Sequence, residues 1–418
     1  MAVSVKNKKK LIHNIIALFI VQFLNYVAPL LVFPYLTRVL GVDGFGVVAV
    51  MFSLCSIAMI ITDYGFGLSA PYWIAKHRDD KVSVSRYIGS VFIIKTILLI
   101  VVLLLVFAYL FSTHSVVLSN GYFFCGLFLT IVFQAYQPVW FYQGIEELKN
   151  VTLFIGASKL TYLGCIFLFV RDSSDIGGVF MALCASYLVS TIYANYRIYS
   201  YGYSISFPKE RKLIFEVLKT SGSFFFSRAA VGIYTSASTF IIGTYSGATQ
   251  AALYSSAEKL YQAGQNATSP LAQALYPYLS RSKDKTTLFR VILYTLPLLI
   301  SGVGICYFFS PIILRVFYGP DFISASPILK NFLICSVVTF ISINIGYPAF
   351  SILDRLDVVN KSVYAAACIY IVLLSVMYMN KAINAYNISY CILIVESFVL
   401  IFRITAFFIL NRKNNAIH

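Results

Sequence analysis

The sequence predicts an all-α polytopic membrane protein of about twelve transmembrane helices, in two six-helix lobes related by a pseudo-two-fold axis along the membrane normal. Three observations predict it. Of 418 residues 59% are hydrophobic and 11% charged, with mean hydropathy +0.81, whereas a soluble domain carries roughly a quarter of its residues charged. Apolar runs such as Ile88 to Phe111 and Val363 to Met379 are continuous, without the ~10-residue alternating segments of a barrel. The one long polar and basic break, SYGYSISFPKERKLIFEVLK from Ser200 to Lys219, falls near the middle.

The helices follow in order. The first runs from about Leu11 to Thr37, with Asn14, Gln22, Asn25 and Pro29 on one face. Pro29 and Pro34 remove backbone donors, which predicts a bend beside water or a neighbouring helix. The second, about Phe45 to Trp73, carries Asp63. The third, about Tyr87 to Phe111, carries Lys95, and the fourth, about Val117 to Phe141, ends in QPVWFYQGIEELKN. Two more, about Val151 to Val170 and Ile176 to Tyr196, complete the first half. After the break come about Thr220 to Thr244, Ala248 to Leu279, Val291 to Phe309, Asn331 to Leu353, Ser362 to Tyr378 and Tyr386 to Leu410. SPIILRVFYGPDFISASPILK, too broken by Pro and Gly to span, reads as an interfacial segment.

The organisation is therefore a lobe over 1–199, a cytoplasmic linker over 200–219 and a second lobe over 220–418. Internal similarity agrees: PYWIAKHRDDK from Pro71 matches PYLSRSKDK from Pro277, Gly41 and Gly44 match Gly243 and Gly247, and Pro138 matches Pro348. Six spans per half make the repeat parallel. Placing both termini in the cytoplasm puts most of the 32 Lys and Arg residues in cytoplasmic loops, as the positive-inside rule asks.

Several classes are excluded. The net charge of +16 lies in short clusters between apolar runs, which is topology rather than a nucleic-acid surface. No P-loop, GxSxG or HExxH motif occurs, and the four histidines are scattered, so no enzyme, metal or cofactor is expected. The eight cysteines sit in or beside apolar runs and read as small core residues. The N-terminal KNKKK imitates a secretory signal, but the apolar run behind it is too long and lacks a cleavage site, so it is taken as the first span.

Charges at membrane depth are the candidate site. Lys95, Lys159, Arg228 and Arg403 lie ~14–15 Å along a helix from the nearest cytoplasmic cation; each faces a cavity or snorkels to the headgroups. Ser221, Gly232, Thr235 and Thr239 share the face of Arg228. Ser255, Glu258, Gln262, Gln265 and Ser269 form a second stripe, which is either a lumen wall or polar glue between helices. The acids Asp63, Glu258 and Glu396 either exchange H⁺ or Na⁺ with the bulk or neutralise the buried bases. Those bases outnumber the acids, which points to an anionic cargo and away from an exporter of organic cations.

LTRVLGVDGFG from Leu36, TDYGFGLSAPYWIAKHRDD from Thr62, QPVWFYQGIEELKN from Gln137 and ILRVFYGPDFISASPILK from Ile313 resemble the O-antigen flippases (Wzx-type) of the polysaccharide transporter family. That family lies in the larger superfamily of MATE-type multidrug exporters and lipid II flippases. The resemblance implies a MATE-like fold in the bacterial inner membrane. It implies movement of undecaprenyl-diphosphate-linked oligosaccharide units from the cytoplasmic to the periplasmic leaflet by alternating access, and partners such as a polysaccharide polymerase and a chain-length regulator. On this reading Arg228, Arg38, Lys159, Lys95 and Arg403 meet the phosphates, and Asn25, Gln262 and Gln265 meet sugar hydroxyls. Arg38 reads equally as an anchor at the periplasmic end. The competing readings are a MATE-like cation antiporter, which asks for an acid-rich cleft, and an O-antigen polymerase, which asks for a large periplasmic loop.

Overall fold

A computed structural model describes residues 2–208 and 211–417, with side chains for 31–208, 211–226, 229–230, 232 and 235–412. The regular structure of the described residues is helical throughout. The chain divides into two compact units, Met1–Gly44 with Met51–Gly232, and Phe45–Val50 with Ile233–His418. The division at Gly232 falls inside the seventh predicted helix. The first part of that helix is held to the N-terminal unit by a Ser69–Ser221 hydroxyl bond of 2.8 Å and by Tyr64 stacked on Phe225.

The N-terminal unit contains most of α1 (Ala2–Asp63), then α2 (Phe66–His77), α3 (Lys81–Ser112), α4 (Val116–Ser119), α5 (Gly121–Ala135), α6 (Val139–Gly144), α7 (Leu148–Phe169), α8 (Ile176–Ser200) and most of α9 (Arg211–Thr235). α1 is two helices joined across Gly41, at φ 69° and ψ −177°, a region essentially reserved for glycine. The predicted second helix is cut between α1 and α2 by Tyr64 and Gly65, both at positive φ. Gly65 is required there, since a Cβ would press on the Ser221 carbonyl. Pro138 separates α5 from α6, because its ring denies the helix a donor. Phe66, Tyr87, Trp140, Phe141, Tyr142 and Phe154 build an aromatic core under these breaks.

The polar break is fastened to α3 and to the end of α2. Ser206 N donates to the Ser85 carbonyl (3.3 Å), Ser204 N to Ser85 Oγ (3.0 Å), and the Tyr203 hydroxyl to the Arg78 carbonyl (3.0 Å). Gly89 lets the strap lie flat, since a Cβ there would strike the Ser206 carbonyl.

The C-terminal unit contains α10 (Ala237–Ser246), α11 (Ala248–Ser282), α12 (Lys285–Phe308), α13 (Ser310–Tyr318), a 3₁₀ turn (Pro320–Ala325), α14 (Ser326–Asn344), α15 (Tyr347–Ile352), α16 (Asp357–Met379) and α17 (Ala385–Ile417). The segment read as interfacial is α13 plus the 3₁₀ turn. Gly247, between α10 and α11, has φ 88° and ψ 171°, the same backbone well as Gly41. The repeat therefore pairs Gly41 with Gly247, the same offset as Pro71 with Pro277, and not with Gly243 as the sequence alignment had it. Asp80 and Asp284 make the same cap. Asp80 Oδ1 accepts from Val82 N and Ser83 N and its Oδ2 from the Ser83 hydroxyl; Asp284 Oδ1 accepts from Thr286 N and Thr287 N and its Oδ2 from the Thr287 hydroxyl.

Among the described residues nine helical stretches are long and apolar enough to cross a bilayer. α11 is not one of them, although at 35 residues it would span with length to spare. Its polar stripe lowers its hydropathy, which points that face at something other than lipid.

Candidate functional site

Inside the C-terminal unit, α11, α14, α16 and α17 line a cavity of about 240 Å³ that gathers acid, amide and guanidinium groups among apolar ones. Glu258, Gln262 and Gln265 reach it from α11, because steps of four and three residues keep them on one helical face. Glu396 and Arg403 reach it from α17, two turns apart. Glu258 is 7% exposed and accepts a 3.4 Å bond from the Thr239 hydroxyl. Lys259 donates to Gln262 Oε1 at 3.1 Å. Gln265 Nε2 donates to the Tyr261 hydroxyl at 2.6 Å, and the Tyr261 ring stacks on Phe332.

Arg403, 8% exposed, donates from Nη1 to the Ser342 carbonyl (2.8 Å) and hydroxyl (3.2 Å), and from Nε to the Ser362 hydroxyl (3.0 Å). α14 ends two residues past Ser342, ahead of Gly346 and Pro348, so its last carbonyls lack intrahelical partners. A guanidinium placed there satisfies the Ser342 carbonyl and meets the negative end of the helix dipole. The charge stays buried, with Nε and Nη1 bonded, Glu396 on its own helix and Glu258 on α11.

Lys95 does the equivalent in the N-terminal unit. It is 4% exposed, donates to the Ala135 carbonyl at the end of α5 (2.8 Å), and lies 5.9 Å from the Phe66 ring centroid. Lys159 is half-buried on α7. Arg38 is exposed and donates back along its own helix to the Pro34 carbonyl at 3.1 Å. Asp63 accepts from Gly67 N at 3.3 Å and so caps the start of α2. Asn25 and Arg228 lie outside the described side chains.

The structure thus brings together five of the expected residues, Glu258, Gln262, Gln265, Glu396 and Arg403. At about 240 Å³ their cavity falls below the ~300 Å³ at which pockets begin to hold drug-sized molecules. It has room for about eight waters, or an ion with its hydration, at about 30 Å³ per water. Three residues assigned to the cargo from sequence therefore share a small chamber with two assigned to ions. Sequence reasoning missed Ser342 and Ser362, whose signal was the Gly346–Pro348 break that leaves α14 carbonyls to be capped. Among the described residues no cluster of three or more His, Cys, Asp or Glu could hold a metal ion.

Two all-helical units with apolar spans and a buried acid and base chamber define a membrane transporter. The comparisons identify it further: the chain belongs to the family described as "Polysaccharide biosynthesis protein", whose model matches residues 11–283. It is similar to a protein of Escherichia coli (strain K12) named "Putative O-antigen transporter", 29% identical over 66% of each chain. A protein of the same name from Shigella dysenteriae is 26% identical over 79% of this chain and 83% of its own. Its fold is similar to that of an inward-facing MATE family multidrug resistance transporter of the MOP superfamily, with TM-score 0.68 at 16% identity over 96% of this chain and 98% of the other. It is also similar to the lipid II flippase MurJ in an inward closed conformation, with TM-score 0.73 at 14% identity over 94% and 87%.

Proposed function

We propose that the protein flips undecaprenyl-diphosphate-linked oligosaccharide units from the cytoplasmic to the periplasmic leaflet of a bacterial inner membrane by alternating access, with both termini in the cytoplasm. The family match across residues 11–283 carries this reading, and the names of the two relatives support it. A diphosphate-linked sugar cannot cross hydrocarbon unaided, so the protein has to supply cationic and hydrogen-bonding groups at membrane depth. Arg228, Lys159 and Arg38 are assigned to the phosphates and Asn25 to sugar hydroxyls, whereas Lys95, bonded to the end of α5, and Gln262, Gln265 and Arg403, in the small chamber, are withdrawn from the cargo set. The small chamber of Glu258, Glu396 and Arg403 takes the coupling role: a proton or Na⁺ entering it offsets carboxylate charge beside Arg403. Its size leaves room for an ion with several waters. A polysaccharide polymerase and a chain-length regulator are the partners this role implies.

Complementation of a flippase-null strain tests the reading, scored for surface polysaccharide and for accumulated lipid-linked units. The unsubstituted chain should restore the polysaccharide and clear the accumulated units. Arg228→Ala should abolish the polysaccharide at unchanged protein level, and Glu396→Gln should remove the dependence of flipping on the ion gradient. Failure of the unsubstituted chain to clear lipid-linked units, with protection against organic cations instead, would overturn the proposal.

A further inference from the structure

A groove on the C-terminal unit is left unused by the transport reading. α11, α12 and α14 enclose about 630 Å³. Its walls run from Leu260 to Leu271, from Thr295 to Cys306 and from Leu329 to Phe340, and Ile313 of α13 stands at one end. Each wall covers about 16 Å at 1.5 Å per residue, close to one leaflet of a ~30 Å hydrocarbon core. Gly264 and Gly302 widen the slot, since a Cβ at either would meet nothing within 4 Å. α12 packs on α14 and draws away from α11. Its wall residue Leu298 is 77% exposed, so on a membrane-spanning helix the groove opens to lipid.

An apolar slot of this size at membrane depth is filled by hydrocarbon. Left empty, it forfeits dispersion contacts along three helices, and water finds few partners on its walls. At the α13 end the Lys330 ammonium lies 5.0 Å from the Tyr307 ring centroid. These neighbours of the wall residues Leu329 and Cys306 place a cation and an amphipathic ring where headgroups lie. We propose that the groove binds one anionic phospholipid, an acyl chain lying between α11, α12 and α14 and the phosphate against Lys330. The length of one leaflet fits an acyl chain, whereas a long polyisoprenoid would overrun it. Tyr261 and Gln265 form the wall shared with the polar chamber, and a seated chain covers the lipid side of that wall. The site goes beyond the cargo reading and stands without it.

The test is native mass spectrometry of the solubilised full chain, titrated with palmitoyl-oleoyl phosphatidylglycerol, the matching phosphatidylcholine and undecaprenyl phosphate. One phosphatidylglycerol per chain should be held about tenfold more tightly than phosphatidylcholine. Gly302→Phe on one wall and Gly264→Leu on another should each weaken that binding about tenfold with thermal unfolding unchanged. Lys330→Gln should erase the preference for phosphatidylglycerol while phosphatidylcholine still binds. The preference of the unsubstituted chain is read without any variant, so misfolding of one substitution leaves the proposal exposed. Equal retention of the two phospholipids, undiminished retention in the filled variants, or filled variants that lose undecaprenyl phosphate alone would each overturn it.

Discussion

In the N-terminal unit a buried lysine, Lys95, ends on the Ala135 carbonyl; in the C-terminal unit a buried arginine, Arg403, ends on the Ser342 carbonyl. Both cations close the end of a helix that a proline-containing break has cut short. Around them the units diverge. Lys95 is packed over Phe66, part of the aromatic core, whereas Arg403 opens onto a chamber with Glu258 and Glu396. The same holds along the repeat, where the Asp80 and Asp284 caps and the Gly41 and Gly247 helix breaks match. The repeat keeps its scaffolding and differs in what fills its polar interior, and on this difference rests the proposal that ion coupling belongs to the second unit.

The comparison breaks most readily at the two cations. Arg403→Ala should abolish surface polysaccharide at matched protein level. Lys95→Met should leave transport standing and lower stability by about 1–3 kcal/mol, the cost of an orphaned buried acceptor. Complementation and thermal unfolding read the two effects, and equal loss of transport in both variants would erase the distinction.

Next in size are the helix breaks. Gly41→Ala and Gly247→Ala each place a Cβ in a backbone well essentially closed to it, which costs about 1–3 kcal/mol. Thermal unfolding in detergent should show similar losses; a neutral alanine at one position and not the other would end the pairing of these glycines. The caps should give the smallest effect. Asp80→Ala and Asp284→Ala should lower the melting temperature slightly and by similar amounts.

The caps also predict a pH dependence. Hydroxyl bonds from Ser83 and Thr287, followed by their backbone amides, hold the carboxyls of Asp80 and Asp284 below the usual carboxylate range. An aspartate of depressed pKa contributes stability above its unfolded value, about 3.9, and loses it as pH falls through the lower folded value. The melting temperature should therefore fall on acidification below about pH 4. In Asp80→Asn with Asp284→Asn that acid limb should flatten, and an unchanged limb would remove the caps from the account.

The all-helical fold was legible because continuous apolar runs and sparse charge admit little else. The α11 stripe was legible too, since its spacing alone puts Glu258, Gln262 and Gln265 on one face. The register of the repeat was not: GVDGFG and GTYSG align in more than one way, and only backbone dihedrals pick Gly41 and Gly247. Lys95 and Arg403 were visible as buried charges, but their partners depend on where α5 and α14 stop, which tertiary packing decides. The lipid-facing groove left no signal, because a wall of a slot and a lipid-exposed helix face have the same composition.

Gly41 and Gly247 also bear on how freely the gene can drift. Every single-base change in a glycine codon that alters the residue adds a Cβ or stops the chain. Each half therefore holds at least one position with no neutral neighbour in sequence space.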